Sequence, residues 1–239
     1  MKIDILSLFP DCFKGPFDES MIKRARQKGL MEINLINIRD FAEDKHKKVD
    51  DRPFGGGPGM VLMAEPVCKA IRSLKKKESY VVYLSPQGKK LDHEIAKDLS
   101  QKEHLILLSG HYEGIDQRII EKEVDLEISI GDYVLTSGCL PAMVLTDVVS
   151  RFVPGVLGHP EAAALDSFER EGLFKGPQYT KPVEFEGLQV PDVLLSGHHA
   201  QIDKWRQEEG FKKTKKLRAD LCQRYQQAKK KERNCESTH

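Results

Sequence analysis

Two hydrophobic periodicities alternate along the first two thirds of the chain. Short apolar runs typical of buried strands are separated by segments in which apolar residues recur at helical spacing. The short runs predict strands at residues 3–8, 33–38, 80–84, 105–108 and 126–130. The intervening segments predict helices at 20–28, at 64–74, at 91–99, up to about 121, and at about 140–150. Because strands and helices alternate, we expect an α/β fold with a largely parallel sheet.

Three successive predicted strands end in loops that contain Gly or Pro, after residues 84, 108 and 130. The carboxyl ends of parallel strands lie at one edge of a sheet, which is where such folds bind ligands. The third loop, with Ser137 and Gly138, opens a helix, and backbone N–H groups are available to a ligand at a helix start. An ordinary strand-to-helix turn is the alternative for this loop alone. The convergence of all three loops predicts a ligand crevice.

The helix predicted at about 140–150 follows that third loop directly. We expect Thr136 or Ser137 to cap it, and Pro141 suits its first turn. Four apolar residues recur at helical spacing and predict that their face of the helix is buried: Leu140, Met143, Val144 and Val148.

A long polar segment at residues 39–60 interrupts the strand–helix pattern. It combines alternating charges with Gly55, Gly56, Gly57 and Gly59. It matches neither a P-loop nor the dinucleotide-binding glycine pattern. A loop of this length is uncommon in a compact domain unless it is functional or disordered. A flap that closes on an anionic ligand and a plain surface loop are both open interpretations.

The C-terminal third has a different composition. We interpret residues 1–158 as the α/β domain, 159–173 as a linker, and 174–239 as a small domain with helices at 200–207 and 215–229. The whole chain has a net charge of only +1, but residues 204–233 hold twelve Lys or Arg and four Asp or Glu. This excess suggests a surface for a polyanion, although a solvated helix face has the same pattern.

Cysteine use and hydropathy indicate a cytoplasmic protein. The five cysteines form no Cys-x-x-Cys pair, which fits free thiols in a reducing compartment. No apolar run approaches the ~20 residues that a membrane span needs, and the N-terminus has the pattern of a first strand, not of a signal peptide. His111 and Glu113 lack partners at zinc spacing, so no metal ligand is assigned.

Ordered motifs along nearly the full length resemble one known family. The motifs lie at residues 5–10 (ILSLFP), 50–60 (DDRPFGGGPGM), 110–116 (GHYEGID), 131–135 (GDYVL), 140–143 (LPAM), 166–168 (DSF) and 194–197 (LLSG). Together they closely resemble the bacterial tRNA (guanine-N(1)-)-methyltransferases, the TrmD family of the SPOUT class.

The resemblance implies a fold that connection rules would not predict, because members thread the chain into a deep trefoil knot. The knot binds S-adenosylmethionine, and family members are homodimers that depend on Mg²⁺. Their implied reaction transfers a methyl group to N(1) of guanosine 37, beside the anticodon of tRNA. The implied partners are therefore the anticodon stem-loop and a second copy of the chain.

The resemblance also implies site residues. The cofactor would contact Tyr83, Leu84, Pro86, Gly110, Tyr112, Glu113, Gly114, Ile130, Gly131, Leu135, Ser137, Gly138 and Pro141. The catalytic residues would be Asp166 and Arg151, and the loop at 50–59 would contact tRNA. The chain has Ser137-Gly138-Cys139 where the family generally has Gly-Gly-Glu.

The chemistry suits these two residue types. N(1) of guanine carries a proton, so attack on the sulfonium methyl needs a general base, for which Asp166 is the candidate. Negative charge then spreads to the exocyclic oxygen, where a fixed cation such as Arg151 stabilises it. From the pattern alone, Asp166 could cap a helix and Arg151 could bind a helix C-terminus.

Three other functions are compatible with parts of the sequence. A knotted RNA methyltransferase could act on another nucleotide or on a ribose oxygen. A non-catalytic RNA-binding module would need no cofactor. A nucleotide-dependent enzyme would use the glycine loop, but the phosphate-binding lysine pattern is missing.

Overall fold

A computed structural model describes residues 1–158, 166–169 and 172–236. The chain forms two compact units, Met1–His159 and Pro160–His239. Of the predicted linker, residues 159–165 and 170–171 lie outside the described residues. The two units are described separately below.

The first unit is built on a five-stranded sheet in the order β2-β1-β6-β5-β7, in which neighbouring strands are parallel. The strands are β1 (Lys2–Ser7), β2 (Glu32–Asn37), β5 (Ser79–Lys90), β6 (His104–Ser109) and β7 (Leu126–Ser129). The helices are α1 (Ser20–Gln27), α2 (Ala64–Leu74), α3 (His93–Ser100), α4 (Gln117–Glu123) and α5 (Cys139–Ser150). Two 3₁₀ helices, Pro10–Phe13 and Ile38–Phe41, follow β1 and β2. The predicted parallel α/β class is therefore confirmed.

Both faces of this sheet are covered, which explains why its strands are apolar throughout. Successive strand residues point to opposite faces. Accordingly Ile3, Ile5 and Leu107 pack in one core cluster, whereas Leu6 and Ile106 pack in another. All five are fully buried, and each such side chain stabilises the fold by about 1.5–3 kcal/mol.

The strand β5 runs beyond its predicted end at residue 84. It continues through Pro86 to Lys90 and pairs again with β7 after a register shift between Leu84 and Lys89. Gly88 lies directly against the backbone of Glu127 and Ile128, where a Cβ would not fit. Pro86 and Gly88 predicted a turn at this position. In the structure they instead allow a bend and a close backbone approach within an extended segment.

The predicted buried face of α5 is confirmed in part, because Met143 and Val148 are partly buried against the core. Ala142, Leu145 and Val149 are fully buried against the sheet, whereas Leu140 is 55% and Val144 40% exposed. The helix is apolar on all sides, so its periodicity could not identify the packed face. The N-cap residue is Gly138 and not Thr136 or Ser137, although the Ser137 hydroxyl accepts a hydrogen bond from the Cys139 N–H (3.3 Å).

The polar segment at 39–60 is anchored at both ends. Its strand β3 (Asp50–Asp51) pairs antiparallel with β4 (Val61–Leu62), so the glycines form the connection between two short strands. Leu62 and Val49 are fully buried and fasten the segment to the core.

The second unit contains a hairpin of β8 (Glu184–Phe185) and β9 (Leu188–Gln189), the short helix α6 (Asp192–Leu195), and two long helices, α7 (His199–Leu217) and α8 (Ala219–Glu236). The predicted end of the first long helix at residue 207 is wrong, because α7 continues through Gly210 to Leu217. Gly210 allows the Phe174 carbonyl to pack against the helix at a position where a Cβ would not fit. The break between the helices falls at Arg218.

Candidate cofactor cavity and catalytic residues

The three loops predicted to converge do so at the carboxyl edge of the sheet. They surround a cavity of about 300 Å³. The cavity wall contains every residue that the resemblance implied for the cofactor: Tyr83, Leu84, Pro86, Gly110, Tyr112, Glu113, Gly114, Ile130, Gly131, Leu135, Ser137, Gly138 and Pro141. The first unit thus brings together residues spread over more than fifty positions of sequence.

Backbone contacts hold the loops together. The Gly138 N–H donates a hydrogen bond to the Gly110 carbonyl (2.8 Å), and a β-bridge joins His111 to Ser137. A Cβ on Gly138 would lie 2.7 Å from the Gly110 nitrogen, which no side chain tolerates. The absence of a side chain at Gly138 therefore permits the two loops to touch.

The loop after β6 is also tied to the end of the glycine segment. The Glu113 N–H donates to the Met60 carbonyl, and the Leu62 N–H donates to the Gly114 carbonyl, both at 3.0 Å. Because of these bonds, the position of the glycine segment is coupled to that of the cavity wall.

The charge on the cavity wall is negative. Glu113 and Glu127 both line it, whereas its described lining residues include no Lys or Arg. Burial, followed by the charge of Glu127, raises the pKa of Tyr83 to about 12, so its hydroxyl keeps its proton. Such a wall favours a cation and disfavours a phosphate.

The shape of the wall also depends on Tyr83. A Cβ on Gly110 would lie 3.1 Å from the Tyr83 ring, and one on Gly114, whose φ is +115°, would lie 3.4 Å from its hydroxyl. The glycines thus leave the space beside the ring open. A cavity with glycine walls, two carboxylates and a buried phenol fits a ligand that carries ammonium and sulfonium charges, as S-adenosylmethionine does.

Several wall residues were missed by the sequence reasoning. The Ser129 hydroxyl donates to the Gly131 carbonyl (2.9 Å) and accepts from its N–H (3.2 Å), which fixes the turn after β7. The hydroxyl of Ser85 accepts from the Gln87 N–H (3.1 Å). The sequence offered one signal for these two residues, namely a serine near the end of each predicted strand, Ser85 after 80–84 and Ser129 in 126–130. Glu127 gave none, because a polar residue within a strand is the ordinary pattern of a solvent-facing position.

A small polar cluster lies at the rim of the cavity. Tyr112 has a φ of +56°, and burial, with a smaller effect of the Asp50 carboxylate, raises the pKa of its phenol. Burial, with a smaller effect of Arg39, lowers the pKa of the adjacent His111. His111 is therefore a neutral ring at neutral pH, packed at 5.0 Å from Phe9.

The two catalytic candidates lie in different units. Arg151 is the C-cap residue of α5 in the first unit. Asp166 lies in a turn of the second unit, 3.5 Å from the Lys175 ammonium, and no helix begins at this turn within the described residues. Helix capping therefore does not account for Asp166. It lines a cleft of about 950 Å³ whose wall includes Phe174, Phe211 and Tyr225.

The absence of a metal cluster and of a membrane-spanning helix applies to the part of the chain that the structure describes. In that part of the chain, no three His, Cys, Asp or Glu side chains come together as a metal site. The expected Mg²⁺ thus has no such ligand cluster among these residues. None of the described helices has the length and apolar character to cross a membrane.

The fold and the cavity define a class: an α/β protein whose three strand-end loops enclose a cofactor-sized, negatively charged cavity. The family follows from comparison with known sequences. The model of the tRNA (guanine-1)-methyltransferase family, TrmD, matches residues 1–224, and the chain belongs to this family.

Individual relatives match over most of both chains. The chain is 61% identical over 221 residues to the tRNA (guanine-N(1)-)-methyltransferase of Protochlamydia amoebophila, covering 92% of this chain and 99% of that one. It is 54% identical over 224 residues to the enzyme of the same name from Dictyoglomus turgidum, covering 94% and 91%. The corresponding enzyme of Ruminiclostridium cellulolyticum is 55% identical over 224 residues, covering 92% and 96%.

Proposed function

We propose that this protein transfers the methyl group of S-adenosylmethionine to N(1) of guanosine 37 in tRNA. Membership of the tRNA (guanine-1)-methyltransferase family supports the reaction and the RNA substrate. The single structural observation that carries the proposal is the cavity, since all the residues implied for the cofactor line it.

In this proposal the cofactor lies among the three strand-end loops and supplies an electrophilic methyl group when bound. Glu113 and Glu127 balance its positive charges, and Gly110 and Gly138 form part of the wall around it. Positioning the methyl group in line with the attacking nitrogen contributes much of the rate enhancement.

Asp166 is the proposed general base, and Arg151 the proposed electrostatic partner. The Asp166 carboxylate accepts the proton from N(1) as the nitrogen attacks the methyl carbon. Arg151 stabilises the negative charge that develops on the guanine oxygen. The Lys175 ammonium lies 3.5 Å from the Asp166 carboxylate.

A homodimer is part of the proposal. Leu140 and Val144, one turn apart on α5, are exposed apolar residues, and Val134 in the cavity wall is 82% exposed. Exposed apolar groups of this kind suit contact with a second copy of the chain. Sedimentation velocity at micromolar concentration is expected to show a dimer, and a monomer would contradict this part.

The trefoil knot is proposed from the resemblance. The close backbone contacts of Gly88 with β7 and of Gly138 with Gly110 support it, because they bring together the three segments that a knot would interlace. An experimental structure in which the backbone does not pass through a loop of its own chain would contradict the knot.

The second unit is proposed to hold the anticodon stem-loop. Exposed lysines along α7, including Lys212, Lys213, Lys215 and Lys216, would contact phosphates. The target base must leave its stack to be methylated at N(1). A Mg²⁺ requirement is proposed from the resemblance alone, and a cytoplasmic location from the lack of Cys-x-x-Cys pairs among the five cysteines.

Labelled methyl transfer tests the proposal. Unmodified tRNA transcripts with guanosine at positions 36 and 37 are compared with transcripts that carry adenosine at 37. We expect transfer to the first only. Transfer to both would indicate another nucleotide. Transfer to neither, with cofactor binding measured separately, would contradict the catalytic assignment.

A further inference from the structure

Three aromatic rings form a chain at the rim of the cofactor cavity. The centroid of the Phe9 ring lies 5.0 Å from that of His111, and the two rings are tilted by 53°. The His111 centroid lies 4.6 Å from that of Tyr112, and this pair packs edge to face at 85°. Both distances are those of favourable aromatic pairs. The chain of rings joins the segment after β1 to the loop after β6.

The two outer rings of this chain are open to solvent. Phe9 is 42% exposed and Tyr112 is 44% exposed, whereas Leu8, directly before Phe9, is buried. Phe9 belongs to neither core cluster of the described residues. Neighbouring large apolar groups at the surface indicate a binding surface more often than isolated ones do. Core packing therefore does not account for the Phe9 ring.

The backbone holds these rings in fixed positions. The Phe9 N–H donates a hydrogen bond to the Ser7 Oγ (3.1 Å), and the Phe9 carbonyl accepts one from the Cys12 N–H (3.0 Å). Tyr112 has a φ of +56°, which is unusual for a bulky residue. Such strain is concentrated at binding sites. Rings that are already fixed lose little conformational entropy when a ligand covers them.

The charges at the rim are compatible with an RNA ligand. Burial, with a smaller effect of Arg39, lowers the pKa of His111, so the middle ring is uncharged at neutral pH. Arg39 lies in the 3₁₀ helix that follows β2 and adds a positive charge in this neighbourhood. A flat, uncharged aromatic surface accepts the face of a nucleobase, and a nearby cation suits the phosphate backbone.

The chain of rings is continuous with the cavity wall. His111 and Tyr112 both line the cavity, and a β-bridge joins His111 to Ser137. Phe9 is not among the described lining residues. A base stacked on Phe9 would therefore lie beside the cofactor and would not compete with it for the cavity.

We propose that Phe9, together with His111 and Tyr112, forms a stacking platform for the RNA base that flanks the methylated guanosine. This inference rests on the proposed function. The target base must leave its stack to be methylated at N(1). Its departure exposes one face of the neighbouring base, and the Phe9 ring covers that face in its place. Stacking of this kind tolerates any base, so the platform stabilises the flipped state without reading sequence.

Substitutions at Phe9 separate the effect of the ring from that of apolar volume. Phe9→Leu removes the ring and keeps an apolar side chain, whereas Phe9→Trp keeps an aromatic surface. We expect Phe9→Leu to weaken tRNA binding about tenfold, as the loss of one base–aromatic contact predicts. Its affinity for S-adenosylhomocysteine should match that of the wild type. Phe9→Trp should recover most of the tRNA affinity.

Leu35→Ala is the control variant, since Leu35 is an apolar residue of similar exposure (37%) on β2. It should bind tRNA like the wild type. A tRNA affinity of Phe9→Leu equal to that of Leu35→Ala would overturn the proposal.

Abasic substrates test whether the ring contacts a base. Synthetic anticodon stem-loops carry an abasic nucleotide directly before or directly after guanosine 37, and affinities are measured by filter binding with S-adenosylhomocysteine present. The loss caused by Phe9→Leu should disappear with one of these two RNAs, because the base that the ring contacts is already missing. An equal loss with the intact and both abasic RNAs would overturn the proposal.

Contact of the rings with a second copy of the chain is the competing outcome. In that case Phe9→Leu would shift the sedimentation coefficient from dimer to monomer, and its effect on RNA binding would not depend on the flanking base. That pair of results would overturn the platform. Failure of the wild-type protein to bind any of these RNAs would instead contradict the proposed function itself.

Discussion

Single glycines determine whether the loops of the cavity can touch. Gly138 lies against Gly110, and Gly88 lies against the backbone of β7, in each case where a Cβ would collide with main-chain atoms. Main chain cannot yield as a flexible side chain does. The cavity is therefore sensitive to the smallest substitution at these positions.

We expect Gly138→Ala to weaken binding of S-adenosylhomocysteine by roughly tenfold or more, which is about 1.4 kcal/mol. The added methyl group would lie 2.7 Å from the Gly110 nitrogen, so the two loops must separate. Calorimetric titration measures the change. Gly158→Ala is the matched control, since nothing lies within 4 Å of the added Cβ. Equal affinities of the two variants would contradict the role of this contact.

The general-base assignment can also be tested at a single residue. We expect Asp166→Asn to lower the rate of methyl transfer by about 10²- to 10⁴-fold, because the amide cannot accept the N(1) proton. Affinity for S-adenosylhomocysteine should change little. Asp203→Asn is a control from the wall of the same cleft. Single-turnover rates measure the effect, and an unchanged rate in Asp166→Asn would remove this residue from catalysis.

At the scale of elements, helices whose bounds follow from the local sequence were predicted well. The helix at 64–74 was predicted with its observed bounds, because apolar residues recur along it at clear helical spacing. The start of α3 was predicted two residues early. Asp92 caps it by accepting a hydrogen bond from the Ile95 N–H (3.0 Å), a signal that was present in the sequence.

Elements that depend on tertiary contacts were not predictable in detail. The packed face of α5, the length of β5 and the continuation of α7 through Gly210 are each decided by a neighbouring segment that local periodicity does not contain. The same holds within the site. The resemblance identified the cavity wall, whereas the place of Glu127 in that wall required the fold.

The start of α4 allows an element-scale prediction. The Asp116 Oδ1 accepts a hydrogen bond from the Arg118 N–H (2.9 Å), and the two side chains form an ion pair at 2.7 Å. We expect Asp116→Ala to lower the free energy of unfolding by about 1 kcal/mol at neutral pH. Asp116→Asn should lose less, since an amide still caps. Urea unfolding measures both.

This contribution should depend on pH. The hydrogen bond with the Arg118 side chain is the largest influence on the Asp116 carboxyl, and its pKa is lowered in the folded protein. Its stabilisation is therefore present above the unfolded value, ~3.9, and is lost as the pH falls through the lower folded value. The difference between wild type and Asp116→Ala should shrink in acid. A difference independent of pH would contradict the ionic contribution.

At the scale of the whole molecule, the two units supply different groups to the proposed reaction. The first unit holds the cofactor cavity and Arg151, and the second holds Asp166 and the basic helices. Neither unit alone contains both of the proposed catalytic residues. Composition indicated this division, because basic residues concentrate in the C-terminal third, but only the family resemblance connected the two parts to one reaction.

We expect Lys215→Ala with Lys216→Ala to weaken tRNA binding and to reduce its salt dependence. Each lost phosphate contact lowers the slope of log affinity against log salt by about 0.7–0.9. Filter binding over a range of salt concentrations measures the slope. Lys76→Ala with Lys77→Ala is the control, since these exposed lysines precede β5 at the opposite edge of the sheet from the cavity. Identical slopes for both double variants would remove Lys215 and Lys216 from the interface.

The most direct measurement is the identity of the methylated nucleoside. Unmodified tRNA carrying guanosine at 37 is incubated with the protein and isotope-labelled S-adenosylmethionine, then digested to nucleosides and analysed by mass spectrometry. We expect the label in 1-methylguanosine, and only when guanosine occupies position 37. Label in a ribose-methylated or other nucleoside, or none despite measured cofactor binding, would contradict the proposed function.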